Sequence, residues 1–126
     1  MDILSASGAP DAVGPYSHAV RTGGLLFCSG QVALDPETNT FLGGDVEAQT
    51  RRVFANIRAV LAEAGVDLGA VVKTTVFLQT MDDFGAMNAV YAEAFGDHRP
   101  ARSTVAVAGL PVGARVEIEV IAAVDA

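Results

Sequence analysis

Cysteine is almost absent from this sequence: Cys28 is the only one in 126 residues. One thiol cannot form an internal disulfide and falls short of a zinc ligand set. Cations are nearly as scarce. Lys73 is the sole lysine, and the arginines are scattered over Arg21, Arg51, Arg52, Arg58, Arg99, Arg102 and Arg115. A surface that tracks phosphates needs clustered cations to release counterions, so nucleic acid is not an expected partner. No apolar run approaches the roughly 18 residues of a membrane span, which removes the membrane as a partner. The first residues, Met1-Asp-Ile-Leu-Ser, lack the positive region and long apolar run of a signal peptide, and a cytoplasmic protein is the expectation. There is no GxGxxG or phosphate loop, and His18 and His98 show no metal-ligand spacing. Neither a metal nor an organic cofactor is expected.

What is present is apolar and acidic. Hydrophobic residues make up 51%, and 15 Asp and Glu against 8 Lys and Arg leave a net charge of −7. The length fits one domain covering residues 1–126. A chain of this size buries roughly two-thirds of its unfolded surface, so it needs no covalent staple. High apolar content and low charge density exclude disorder. The mean hydropathy of +0.38 exceeds what a small soluble monomer requires.

Glycine and proline punctuate the chain into short elements. Ser17 to Arg21 and Leu25 to Ser29 read as two strands of a hairpin, separated by Gly23-Gly24. Val46, Val53, Ile57, Val60, Leu61 and Ala64 recur at helical spacing, predicting a helix over Val46 to Ala64 that Gly65 stops. Val71 to Gln79 is β-branched and apolar on both faces, as a strand buried on two sides would be. Asp82 or Asp83 can cap a second helix ending near Phe95, with a stripe of Phe84, Asn88, Tyr91 and Phe95. Ser103 to Val107 and Arg115 to Val124 read as strands joined through Gly109-Leu-Pro-Val-Gly113. The order β-β-α-β-α-β-β implies an α+β domain with both helices on one sheet face.

Few residues in this pattern suggest chemistry. Glu117 and Glu119 share one strand face with Ile121 and Ala123, because side chains two apart point the same way. A face both acidic and apolar is unlike ordinary solvent surface, and one glutamate could serve as a general base or position a water. Arg102, at the start of a strand, presents a rigid fork suited to a carboxylate. With Glu117 on the next strand of a hairpin, the two could serve one site or simply pair with each other. Asn88 is a polar intruder in an apolar stripe and must find a partner, in the core or in a pocket. Tyr16 follows the Gly14-Pro15 turn, and Ser29-Gly30 ends a strand where a hydroxyl and bare backbone could meet a ligand. Cys28, inside an apolar run, reads as a small core residue.

Six blocks carry a resemblance. Gly14-Pro-Tyr16-Ser, Phe27-Cys-Ser29-Gly30-Gln31, Val72-Lys-Thr-Thr-Val-Phe77, Asn88-Ala-Val-Tyr91, Pro100-Ala-Arg102-Ser and Val116-Glu117-Ile-Glu occur in order over nearly the whole chain. Together the sequence resembles the RidA (YjgF) family. The resemblance implies a chorismate-mutase-like fold assembled as a homotrimer with three clefts between subunits. It implies a cofactor-free hydrolase: a deaminase converting reactive 2-imino acids and enamines, such as 2-iminobutanoate and 2-iminopropanoate, to 2-oxo acids and ammonia. Carried over by position, Arg102 would hold the substrate carboxylate, Glu117 would position or activate water, and Tyr16 would line the cleft near the imine. Ser29, Gly30, Asn88 and Thr104 would complete the pocket, leaving Glu119 structural. Thr104 stands where many deaminating members carry cysteine. The connection from Gly96 to Pro100 is shorter than in archetypal members and carries Arg99, where an aromatic or apolar residue is common. A non-catalytic, small-carboxylate-binding or regulatory trimer is the alternative, and ribonuclease activity, an older label for the family, is opposed by the acidic charge.

Overall fold

The computed structural model describes residues 1–125. Six strands, β1 (Asp2–Leu4), β2 (Ala19–Thr22), β3 (Leu25–Gln31), β4 (Val71–Leu78), β5 (Ala101–Ala106) and β6 (Val116–Ala123), form one mixed sheet in the order β1-β2-β3-β6-β4-β5. Helices α1 (Val46–Glu63) and α2 (Phe84–Phe95) pack together on it. The α+β class and the two-helix layer agree with the sequence reading, with β1 as an additional strand at one edge.

Helix α1 follows its sequence signals closely. The Asp45 carboxylate accepts the Ala48 N–H at 2.8 Å, a cap worth about 1 kcal/mol. Ala64 is the C-cap, and Gly65 leaves the helix with φ +75°, a left-handed geometry that costs glycine least. Val53, Ile57, Val60 and Leu61 are each 1% exposed or less, against Leu26, Val76, Ile118 and Val120 from the sheet.

Three local expectations are corrected. Strand β2 begins at Ala19, and the His18 ring ahead of it turns to the preceding loop: its Nδ1 accepts the Ala6 N–H at 2.8 Å and its Nε2 meets the Pro10 carbonyl at 2.7 Å. Asp83 holds the N-cap position of α2 as expected, but neither it nor Asp82 makes a capping hydrogen bond to the helix. A 3-10 turn over Met81–Asp83 precedes the helix, the Thr80 hydroxyl accepts the Asp82 N–H, and Asp83 carries no capping bond. Asp83 instead faces Arg115, with Nε–Oδ2 at 3.7 Å.

The third correction governs the site. β5 and β6 are not partners in a hairpin, since β4 lies between them, parallel to β5 and antiparallel to β6. Two strand steps separate β5 from β6, roughly 10 Å. Thr74, Val76 and Leu78 of β4 are buried, and the Thr74 hydroxyl meets the Tyr91 phenol of α2 at 2.8 Å. Lys73, Thr75 and Phe77 occupy the other face of β4 and are only half-buried, so burial on two sides is not met within this chain. Leu25, Phe27, Ile121 and Val105 continue that open apolar face, with Phe27 43% exposed.

Candidate functional site

The candidate residues fall into two groups. Arg102 and Thr104 pair with Thr74 and Val76 across β4–β5, which puts them on the helix-covered side at the sheet edge. There Arg102 Nη1 donates to Asn88 Oδ1 at 2.7 Å, so the polar break in the α2 stripe serves a partner rather than the core. The guanidinium carbon lies 4.6 Å from the Tyr91 ring centroid and 5.4 Å from that of Phe84, within cation–π range of both. Among the described residues Arg102 has no acidic partner, and its Nε and Nη2 remain free. The fork opens on a cavity of about 550 Å³ that Asn88, Tyr91, Phe95 and Arg99 also line. The Thr104 hydroxyl, two residues along the same strand face, is buried with no hydrogen-bond partner among the described residues.

The second group surrounds Glu117. This residue pairs with Phe77 and lies with Glu119 on the open face. Strand β3 reaches it through a bulge: Cys28 pairs with Val120 but Gln31 with Ile118, so β3 carries one extra residue across Ser29-Gly30. The bulge presents Gly30 to the carboxylate. A methyl group on Gly30 would stand 2.6 Å from Glu117 Oε2, so only glycine admits the side chain as it sits. Ser29 anchors the approach of Tyr16, its hydroxyl donating to the Ser17 carbonyl at 2.6 Å and its N–H to the His18 carbonyl at 3.0 Å. Tyr16, Gly30, Val112 and Glu117 line a cavity of about 230 Å³.

Arg102 and Glu117 therefore do not meet within one chain: they occupy strands separated by β4, on opposite faces of the sheet. Their direct pairing, open from sequence, is not made. The sequence reading also missed the clamp of Phe84 and Tyr91 on Arg102, although their spacing from Asn88 by four and three residues was its signal. Val112, with φ +55°, was missed as well; a branched residue in that conformation marks strain beside the Glu117 cavity.

Burial, and then the charge of Glu119, push the Glu117 carboxyl above its ordinary range. Its charged form is thus disfavoured in the folded protein. The stability it contributes is present below the unfolded value of about 4.3 and lost as pH rises through the higher folded value. Glu117→Gln should melt higher than the parent protein at pH 7, with the gain shrinking toward pH 4. Thermal melts at both pH values test this, and an equal or lower melting temperature at pH 7 would contradict it. Cys28 is on the helix side, and burial pushes its thiol up to about 12, leaving almost no thiolate at neutral pH.

The sequence model of the family described as Endoribonuclease L-PSP matches residues 6–124. A RutC family protein of Pyrococcus abyssi is 46% identical over 121 residues, spanning 96% of this chain and 95% of its own. The mouse protein named 2-iminobutanoate/2-iminopropanoate deaminase is 44% identical over 120 residues, 95% of this chain and 89% of its own. The chain belongs to the RidA (YjgF) family. The crystal structure of the YjgF gene product from E. coli superposes on this RidA-family chain with a TM-score of 0.92 at 40% identity, covering 98% of each. The chorismate-mutase-like fold expected of a RidA-family chain is thus the fold observed.

Proposed function

We propose that this protein is a hydrolytic deaminase of small 2-imino acids, releasing 2-oxo acids and ammonia, and that it works as a homotrimer. The observation that carries this reading is Arg102: a guanidinium held by Asn88, clamped between two rings, without an acidic partner and open to a cavity. Such a fork suits one planar carboxylate held by two parallel hydrogen bonds.

The chemistry follows from that grip. The protonated C=N carbon of an imino acid is already electrophilic, so the protein must orient it and deliver water. Glu117 accepts a proton from the attacking water as its oxygen bonds to that carbon. The C=N π electrons pass to nitrogen, giving a tetrahedral carbinolamine. Glu117 then returns the proton to the nitrogen, and as the C–N bond breaks the hydroxyl proton passes back to the Glu117 carboxylate, the carbonyl forms and ammonia leaves. A carboxyl held above its ordinary range is closer in basicity to such a shuttle's needs than a solvated one. Tyr16 would wall the cleft, with Ser29, Gly30 and Thr104 completing it.

One chain holds the two halves on opposite sheet faces, and a second copy would bring its Glu117 half to the Arg102 half of the first. The open face of Phe27, Phe77, Val105 and Ile121 supplies apolar area for such contacts, as obligate interfaces do. That accounts for the hydropathy excess. The family's ribonuclease description finds little support in a net charge of −7, with Arg51, Arg58 and Arg115 already facing Glu93, Asp67 and Asp83.

The test generates 2-iminobutanoate in place with a threonine dehydratase, and semicarbazide competes for the imine as 2-oxobutanoate release is followed. Acceleration by the protein is expected. No acceleration across several imino acids overturns the deaminase reading, and saturable 2-oxobutanoate binding without acceleration would favour a carboxylate-binding trimer.

A further inference from the structure

The cavity that Arg102 opens onto holds a second cation. Arg99 lines it as well, three residues upstream and just ahead of Pro100. A residue before proline is driven to extended backbone, so Arg99 and Arg102 lie at most roughly 10 Å apart along the chain. Both guanidiniums lack an acidic partner among the described residues, whereas three other arginines each have one. No acidic side chain lines the cavity. Arg99 is exposed, and its Nη1 is held by the backbone carbonyls of Gly96 and His98, leaving Nε and Nη2 unengaged. Arg102 is held by Asn88. In a chain with net charge −7, this chain's own residues give the cavity two guanidiniums and no carboxylate to balance them. Two anionic groups on one ligand would give each guanidinium a counter-charge.

We propose that this cavity is a two-point anion site, selecting 2-imino acids that carry a second carboxylate at the end of a short side chain. Arg102 takes the carboxylate beside the imine and Arg99 takes the distal one. The inference rests on the reading of Arg102 as carboxylate holder and adds the substrate class. A monocarboxylic imino acid would leave Arg99 without a counter-charge, so it binds more weakly.

The test uses stable product-like probes. By isothermal titration at low ionic strength, 2-oxoglutarate should bind about tenfold more tightly than 2-oxobutanoate, the low end for a charge-assisted contact that stays partly solvated. Arg99→Gln keeps an N–H donor for the loop carbonyls and deletes the charge, so it should bring the two affinities within about twofold, the low-end contact having been removed. Arg99→Lys should keep most of the preference, and Arg102→Ala should weaken both ligands. Equal affinities in the parent protein, a preference that survives Arg99→Gln, or no binding of either acid would each overturn the proposal. Hydrolysis of 2-iminobutanoate without a dicarboxylate preference would remove this inference and leave the deaminase reading intact. A dicarboxylate preference without imine hydrolysis would do the reverse.

Discussion

Arg102→Ala is expected to lower kcat/KM for 2-iminobutanoate by about 10²- to 10³-fold, which corresponds to losing one partner of a desolvated, hydrogen-bonded charge pair. The loss is large because the substitution removes the fork and leaves the substrate carboxylate facing aromatic rings and a cavity instead of water. Its structural cost should be small, since Arg102 is half-exposed on an edge strand and contacts chiefly Asn88, Tyr91 and Phe84. Arg102→Lys separates charge from geometry: a point charge recovers part of the affinity but not the two parallel bonds, so its kcat/KM should fall between the two. The measurement is the semicarbazide-competition assay beside a thermal melt of each variant. Near-parental rates in Arg102→Ala, with folding intact, would remove Arg102 from the site.

Gly30→Ala is expected to cost roughly 10- to 100-fold in kcat, the scale of an ångström-level misplacement of a reacting group. The new methyl would stand 2.6 Å from Glu117 Oε2, closer than real contacts allow, and 3.0 Å from its Cδ. What must yield is the far end of a flexible side chain rather than backbone, so the fold tolerates the change and the carboxylate swings away. Melting temperature should therefore move by only a few degrees while the rate falls. The same substitution in a Glu117→Ala background should cost almost nothing further, because its only target is gone. Equal losses in both backgrounds would mean that Gly30 acts through its own backbone instead.

The fold was legible wherever the information was local. Asp45, the apolar period of α1 and Gly65 are contiguous signals, and the helix ends within one residue of expectation. Glu117 and Glu119 share a face for the same reason: period-two alternation needs only the strand itself. The β5–β6 hairpin failed because neighbouring strands in sequence with a glycine-rich link usually pair, and nothing local reveals that β4 has taken that place. The capping bond expected of Asp82 or Asp83 failed through competition, as Thr80 caps one turn earlier and Arg115 draws Asp83 toward β6. For the site, the sequence pointed to Arg102, Glu117 and Asn88 as residue types out of keeping with their surroundings. That the first two stand on opposite sheet faces depends on strand order, a long-range property that no local pattern records.

Strand β6 is the sixth of the six strands in sequence order, yet it occupies the interior of the sheet between β3 and β4. Everything upstream of residue 116 can form helices and the β2–β3 hairpin, but the two halves of the sheet have no shared ladder until β6 inserts. The sheet of a nascent chain must wait for its sixth strand, and such long-range pairing slows folding. The same strand delivers Glu117. Completion of the sheet and arrival of the carboxylate are thus one event, so a ribosome-bound or partly folded chain presents Arg102 without the group proposed to act on what Arg102 holds.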